Sequence, residues 1–425
     1  MTIFIIIVFI LGYLAIALEH PLRVNKAATA LITGVLCWTI YIVSSANNEH
    51  VNEQLLEHMG DISGILFFLL GAMTIVELID AHDGFEIITQ RINTTSKRKL
   101  LWMVCFLTFF LSAVLDNLTT TIVMVSLLRK LIPEKEDRLL FCGMVVIAAN
   151  AGGAWSPIGD VTTTMLWIGG QITASNIVVA AILPSIVNLL VPLGIVTIGL
   201  KGNIQPPEVS DDSDKATSTA GERNLVFGTG VLILLLVPAF KTITHLPPFM
   251  GIMLGLGVMW VITELVHHAK DTSDKNTFSV QYALRKIDTP SILFFLGILA
   301  SVAALQATGV LTNVAQQLDS SIGDERLIVS SIGILSSIVD NVPLVAAAMG
   351  MYSLEQYPTD NFFWEFLAYC AGTGGSILII GSAAGVAAMG IEKIEFFWYL
   401  KRIAWLALAG YIAGAIVFIL QKGAF

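Results

Sequence analysis

Two short polar segments interrupt otherwise apolar runs, and they constrain the fold more than any other feature of the sequence. The first is SAVLDNLTTT at residues 112–121, and the second is SSIVDN at residues 336–341. An aspartate-asparagine pair, with a serine four residues before the aspartate, recurs 224 residues later. An aspartate inside hydrocarbon costs roughly 2.5–3.5 kcal/mol, so it is a functional candidate by default. Two such segments in register predict an internal duplication built around a paired site.

The composition excludes a soluble fold. Of the 425 residues, 55% are hydrophobic and only 13% are charged, and the mean hydropathy is +0.79, which leaves too little polar surface to cover a globule. The apolar runs are close to the ~20 residues that a helical span requires, and the alternating pattern of a membrane barrel is missing. We therefore predict an all-α polytopic membrane protein. The four cysteines lie in apolar runs without CxxC spacing, which indicates packing.

The spans divide into two repeats, residues 1–200 and 224–425, joined by a polar cytoplasmic linker at residues 201–223. Each repeat contains five spans, one of which is a broken helix, and one re-entrant hairpin. The hairpins are residues 99–131 and 326–354, and the broken helices are residues 139–169 and 363–390. The other predicted spans are residues 2–18, 27–46, 62–80, 176–200, 225–240, 250–267, 289–308 and 397–420. An odd number of spans inserts the second repeat upside down, which is typical of transporters with inverted-topology repeats.

The basic residues set the orientation, because positive charge marks the cytoplasmic side. With the N-terminus outside, 20 of the 23 lysines and arginines face the cytoplasm. Both flanks of the first hairpin are basic, so it enters from the cytoplasm, whereas Asp319, Glu325 and Glu355 flank the second, which enters from outside. No lysine or arginine is expected near mid-span, so a transported anion would lack a counter-charge. In residues 84–93, apolar and polar residues alternate at helical spacing, which predicts an interfacial helix.

The irregular segments predict a cation site. Irregular backbone at membrane depth occurs only where protein buries it or where it lines a wet cavity, and the hairpin tips and glycine-rich breaks are such places. Na⁺ or Li⁺ would bind at the tips through Asp116, Asn117, Asp340 and Asn341, with Asp160 as a further carboxylate. The predicted supporting ligands surround the tips and breaks: Ser112, Thr119, Thr120, Asn150, Gly153, Ser156, Thr162, Ser336, Ser337, Thr373, Gly375 and Ser376. No cofactor and no nucleic-acid partner are expected.

Each of these candidates has a structural alternative. A serine or threonine hydroxyl commonly bonds to a helix carbonyl, and an aspartate at a hairpin tip is a favoured helix cap. Asp160 is matched by Ser382 in the second repeat, so it either caps the next half-helix or adds negative charge to the first site. An intramembrane aspartyl protease is a remote alternative, because Asp116 and Asp160 lack the Tyr-Asp and Gly-x-Gly-Asp contexts of that class.

At these segments the sequence resembles the NhaD-type sodium/proton antiporters of the ion transporter superfamily, which also includes dicarboxylate and arsenite carriers. The resemblance covers essentially the whole chain and is most specific at residues 112–121, 150–165, 336–343 and 372–385. It implies inverted repeats whose hairpins and broken helices meet at a central site, in a homodimer in a bacterial inner membrane. Dicarboxylate carriers typically show Ser-Asn-Thr at the tips. Here Asp116 and Asp340 hold the serine position, which would repel a dicarboxylate.

The predicted function is exchange of cytoplasmic Na⁺ or Li⁺ for external H⁺ by competition at buried aspartates. A metal cation and a proton cannot occupy the same carboxylate together, and burial of a carboxyl group favours its protonated form. The alternative is a superfamily carrier of another substrate, such as a Na⁺-coupled dicarboxylate or arsenite.

Overall fold

The computed structural model of the chain describes residues 2–85, 87, 94–204, 218–268 and 278–423. Within these ranges the regular structure is α-helical, apart from one isolated antiparallel bridge between Ser96 and Asn203. Eight of the described helices are long and apolar enough to cross a membrane. The prediction of an all-α, multi-pass membrane protein is therefore confirmed.

The helices follow the order of the predicted spans. The first part of the chain forms α1 (Thr2–Ala17), α2 (Glu19–Leu22), α3 (Lys26–Ser44), α4 (Asn48–Ala81), α5 (Lys97–Leu115), α6 (Asn117–Leu131), α7 (Lys135–Gly153), α8 (Val161–Ile168) and α9 (Ala174–Gly199). The second part forms α10 (Ala220–Thr244), α11 (Pro248–Val266), α12 (Val280–Lys286), α13 (Thr289–Ala307), α14 (Val310–Ser321), α15 (Glu325–Leu335), α16 (Asn341–Met351), α17 (Phe362–Gly374), α18 (Ala383–Glu392), α19 (Phe396–Arg402) and α20 (Ala404–Gly423). The predicted hairpins correspond to α5–α6 and α15–α16, and the broken helices to α7–α8 and α17–α18.

Small polar residues begin each helix that leaves an irregular segment. Their side chains accept a hydrogen bond from a main-chain N–H in the first turn, which satisfies a donor that the helix itself leaves unpaired. The capping residues are Asp116 for α6, Asp160 for α8, Asp340 for α16 and Ser382 for α18. Asp116 also has a φ of 98°, so the chain reverses sharply there. The sequence therefore ends and restarts these helices with local chemistry.

One glycine in each broken helix allows the neighbouring hairpin to pack tightly against it. A Cβ added at Gly152 of α7 would meet the main-chain carbonyl of Phe109 on α5. A Cβ at Gly374 of α17 would meet the main-chain carbonyl of Gly333 on α15. Backbones can approach this closely only where a side chain is missing. The same type of crossing thus occurs in both parts of the chain.

The two broken helices form the centre of the molecule. Every residue from Phe141 to Gly153 of α7 is buried, and so is every residue from Phe363 to Gly374 of α17. A helix that is buried all round lies inside a bundle and does not face lipid. The breaks that follow these helices are therefore held in the interior of the protein.

Several predicted boundaries differ from the structure. The third span was predicted from Ile62, but α4 begins at Asn48, because Asn47 caps a polar extension that an apolar-run criterion does not detect. The last span was predicted as one helix and is divided at Ile403 between α19 and α20. The short helices α2, α12 and α14 were not predicted. Most of residues 84–93, and residues 205–217 of the linker, lie outside the described residues. All four cysteines are free and buried, as predicted.

Candidate functional site

Asp160 lies between the two hairpin tips. Its side chain is buried, with 2% exposure. Its Oδ2 atom accepts hydrogen bonds from Asn117 Nδ2 at 2.6 Å and from Asn341 Nδ2 at 3.4 Å. The two asparagines begin α6 and α16, the second arms of the two hairpins. Both tips therefore meet at one carboxylate that the first broken helix supplies.

The other oxygen of Asp160 makes the helix cap. Its Oδ1 atom accepts from the main-chain N–H and from the hydroxyl of Thr162, both at 2.9 Å. An ionised carboxylate offers about four acceptor positions, so capping leaves capacity for other ligands. The cap and the contact with the tips are made by different oxygens, and the first does not exclude the second.

Asn150 extends this network to the second broken helix. Its Oδ1 accepts from Asn117 Nδ2 at 3.0 Å, and its Nδ2 donates to Ser382 Oγ at 2.9 Å. Asn150 is fully buried and lies just before the glycines that end α7. One chain of hydrogen bonds thus links both tips and both breaks. The sequence identified Asn150 as a supporting ligand, but it identified Ser382 only as the counterpart of Asp160.

The two tip aspartates differ in their partners. Both oxygens of the half-buried Asp116 accept from Thr119, from its N–H at 2.7 Å and its hydroxyl at 2.9 Å. Asp340 uses Oδ1 to accept from the N–H of Val342 at 3.2 Å, while its Oδ2 faces Lys26 Nζ at 3.4 Å. The first tip carries a negative charge without an adjacent cation in the described structure, whereas the second is paired with an ammonium group.

The pairing of Lys26 with Asp340 was not predicted. No lysine or arginine was expected near mid-span, and Lys26 stands at the N-terminal end of α3, but its side chain reaches the second tip. The two residues are 314 positions apart, and a count along the chain places Lys26 at the membrane edge. In the folded chain, the N-terminal end of α3 lies beside the second hairpin tip.

The predicted supporting ligands separate into groups by what their polar atoms contact. Three hydroxyls contact carbonyls of another segment: Ser112 bonds to Ala149, Ser156 to Ala113, and Ser336 to Ala371 at 3.1 Å as well as to Gly333 in its own turn at 2.8 Å. Three bond within their own turn: Ser337 to Ile334, Thr373 to Tyr369 and Ser376 to Thr373. A Cβ at Gly153 or Gly375 would meet the carbonyl of Gly159 or Gly381. Thr120 is buried, and its hydroxyl has no hydrogen-bond partner among the described residues. The first three hydroxyls therefore join separate segments of the chain, and the next three bond locally.

Two cavities lie beside the tips. The larger one, about 540 Å³, is lined among others by Glu19, Asn25, Lys26, Asp288, Leu118 and Val386; we name it the vestibule. The smaller one, about 60 Å³, is lined among others by Tyr13, Glu19, Lys26, Asp340 and Val386; we name it the tip cavity. Glu19, Lys26 and Val386 line both cavities. The second tip therefore borders a cavity with charged side chains in its lining that is large enough for water or a small cation.

The donor set suits a hard monovalent cation. Carboxylate, amide, hydroxyl and main-chain oxygens all occur at the tips and breaks, and such oxygens are the ligands that hard cations prefer. Among the described residues, no three histidine, cysteine, aspartate or glutamate side chains lie close enough together to hold a metal ion. The three aspartates therefore do not form one closed cage in this conformation.

Comparison with known proteins identifies the family. The family model described as "Citrate transporter" (CitMHS) matches residues 6–372. Sodium/proton antiporter 1 of Arabidopsis thaliana is 50% identical over 97% of this chain and 71% of its own, and Sodium/proton antiporter 2 of that plant is 47% identical over 97% and 98%. The Na(+)/H(+) antiporter NhaD of Vibrio cholerae is 29% identical over 98% of this chain and 91% of its own.

These matches extend along nearly the whole chain and include the tips and breaks where the sequence motifs lie. The resemblance inferred from those motifs is thereby confirmed. The protein belongs to the NhaD-type sodium/proton antiporters of the ion transporter superfamily, a family of transporters and not of enzymes.

Proposed function

We propose that this chain exchanges cytoplasmic Na⁺, or Li⁺, for external H⁺ at a site formed by the hairpin tips and Asp160. The observation that carries the proposal is the convergence of Asn117 and Asn341 on the buried Asp160 carboxylate. A charged group buried in a membrane protein needs compensation, and here neutral donors supply it: the amides of Asn117 and Asn341, and the N–H and hydroxyl of Thr162. A cation at the same place would compensate the charge better.

The exchange follows from competition for the carboxylates. A protonated aspartate is neutral and attracts no cation, whereas an ionised aspartate does. Loading Na⁺ at these carboxylates therefore requires that any proton bound there leave, and loading protons expels Na⁺. The asparagine amides that donate to Asp160 join both tips to the first broken helix.

We also propose that residues 1–200 and 224–425 are inverted repeats. Equivalent contacts in the two parts support this: Ser112 donates to the carbonyl of Ala149, and Ser336 donates to that of Ala371. Each donor and acceptor is displaced by 224 or 222 residues between the copies. In this arrangement the first hairpin enters from the cytoplasm and the second from outside, as their basic and acidic flanks indicate.

The surroundings of the protein are proposed on similar grounds. An outside N-terminus places most lysines and arginines in the cytoplasm. A bacterial cytoplasmic membrane and a homodimer follow from the resemblance, and bacterial relatives named NhaD support the former. The lipid bilayer is the solvent for the apolar helix faces.

An organic anion is the second candidate substrate. The matching family model is described as a citrate transporter, and Lys26 supplies a cation near the second tip. Against this, the site contains one ammonium group and three aspartates, so the balance of charge favours a cation.

Transport assays on reconstituted liposomes distinguish the two. Proteoliposomes with a trapped pH dye and an imposed pH gradient are challenged separately with Na⁺, Li⁺, K⁺, citrate and succinate. We expect Na⁺ or Li⁺ to dissipate the gradient, and protein-free liposomes to show no response. Citrate or succinate uptake without Na⁺-driven proton movement would refute the proposal.

A further inference from the structure

The ammonium group of Lys26 occupies a defined position between two elements of the fold. Its Nζ lies 3.4 Å from Oδ2 of Asp340 and 4.4 Å from the centre of the Phe294 ring on α13. The main-chain N–H of Lys26 donates to the Glu19 carboxylate at 3.1 Å. The Lys26 and Asp340 side chains are 22% and 15% exposed. The lysine head is therefore held at the second tip by a carboxylate and by an aromatic face.

The ion pair is open on the side of the cavities. A tight ammonium–carboxylate hydrogen bond is about 2.7–2.9 Å long, so 3.4 Å is a loose contact. The tip cavity lies directly against the pair, and Lys26 lines the vestibule as well. A cation arriving through the vestibule would meet Lys26 before it met Asp340.

A second cation cannot join this pair without moving Lys26. Two positive charges at one carboxylate repel each other, and lysine is a point charge on a flexible four-carbon stem that can turn away by side-chain rotation. Glu19 lines both cavities with Lys26. Glu19 is thus a carboxylate that borders both cavities and can accept the displaced ammonium group.

We propose that Lys26 is an internal counter-ion that occupies Asp340 when no cation is bound there, and that a transported cation reaches Asp340 by displacing Lys26 toward Glu19. This inference rests on the proposed cation exchange at the tips. In this mechanism Asp340 exchanges its ligand with a lysine of the same chain, whereas Asp116 and Asp160 exchange theirs with protons.

The mechanism makes a prediction about Na⁺ affinity. The ionisable side chains that line the tip cavity together with Lys26 and Asp340 are Tyr13 on α1 and Glu19 on α2. In the parent, Na⁺ reaches Asp340 by displacing the ammonium group, whereas a Lys26→Gln variant has no positive charge there to displace. A Lys26→Gln variant should therefore bind Na⁺ several-fold more tightly than the parent.

The experiment measures ²²Na⁺ binding to the purified full-length protein in detergent over a range of Na⁺ concentrations, with choline chloride as the blank. Na⁺-dependent proton release from the parent is followed in parallel with a pH indicator. Lys26→Arg retains the charge and should match the parent. Arg23→Gln is the matched control, because it removes an exposed cation three residues earlier, and it should also match. Na⁺ binding by Lys26→Gln that is no tighter than that of the parent would overturn the inference.

A second variant tests the receiving carboxylate without altering the ion pair. Glu19→Gln should weaken Na⁺ binding several-fold, because the displaced ammonium group then has no carboxylate to accept it. Asp288→Asn removes one negative charge from the same vestibule but offers Lys26 no contact, so its effect on affinity should be smaller. Equal effects of the two changes would refute displacement toward Glu19. Absence of any Na⁺-dependent proton release from the parent would instead refute the proposed exchange function.

Discussion

Replacement of Asp160 by asparagine tests whether its charge matters beyond the helix cap. At an ordinary cap this change is nearly neutral, because asparagine accepts the same hydrogen bond. Here the Oδ2 side of Asp160 faces the amide donors of Asn117 and Asn341, at 2.6 and 3.4 Å. An amide NH₂ placed there faces two other donors, and turning it over directs it instead at the N–H and hydroxyl of Thr162. Either orientation leaves donors without an acceptor.

The expected magnitudes follow from this geometry. A buried donor without an acceptor costs about 1–3 kcal/mol of stability. The loss of one negative charge about 5 Å from a bound cation, at an effective dielectric of about 20, costs about 3 kcal/mol of binding. At 1.4 kcal/mol for each factor of ten, Na⁺ affinity should fall about a hundredfold. Asp160→Ser, which copies Ser382 of the second repeat, should retain a cap and still lose the affinity.

Two measurements on the purified protein check this prediction. Na⁺ affinity is obtained from Na⁺-driven proton movement in proteoliposomes, and stability from the thermal unfolding midpoint in detergent. Asp324→Asn is the matched control, because Asp324 caps α15 through the N–H of Arg326 at an exposed position, and it should leave both quantities unchanged. If Asp160→Asn behaves like this control, the carboxylate is a cap only and the charge argument is refuted.

Further predictions concern the tips, the topology and the helix crossings. Asparagine in place of the aspartate at either hairpin tip should abolish Na⁺-driven proton movement in folded, inserted protein, because the amide retains the shape and loses the charge; normal exchange would remove that residue from the site. Competition predicts that raising the Na⁺ concentration extends exchange to lower pH, and a pH dependence indifferent to Na⁺ would contradict it. A cysteine near Lys135 should react with impermeant thiol reagents from the cytoplasm and one near Glu355 from outside, with the buried native cysteines as background; labelling of both from one side would end the inverted-repeat proposal. Gly374→Ala should sharply reduce the yield of folded protein, because the added Cβ would meet a main-chain carbonyl. Gly194→Ala should not reduce the yield, because there is open space around Gly194. Equal yields of the two variants would contradict the close crossing.

The sequence was sufficient for features that depend on local chemistry. Apolar run length predicted the spans, and polar or glycine-rich interruptions located the tips and breaks. Asp116, Asp160 and Asp340 were each recognised as potential caps, and each is one in the structure. These features were accessible because a helix begins and ends according to residues within one turn of its end.

The contacts between distant segments were not accessible. The ion pair of Lys26 with Asp340 joins residues 314 positions apart, and no local pattern marks it. The meeting of Asn117 and Asn341 at one oxygen of Asp160 likewise depends on how the hairpins pack. The roles of the hydroxyls were also hidden, since a serine that bonds within its own turn has the same sequence context as one that bonds across helices.

Because each candidate carboxylate also caps a helix, ion occupancy and helix fraying are coupled. A carboxyl group that gains a proton or turns toward a cation is a poorer acceptor for the first-turn amide it caps. The amide hydrogens of Thr119, Thr162 and Val342, which donate to these three aspartates, should then exchange with solvent at rates that change with Na⁺ and pH. Mass-spectrometric deuterium uptake at the starts of α6, α8 and α16 would therefore report the loading of each carboxylate separately, without any transport measurement.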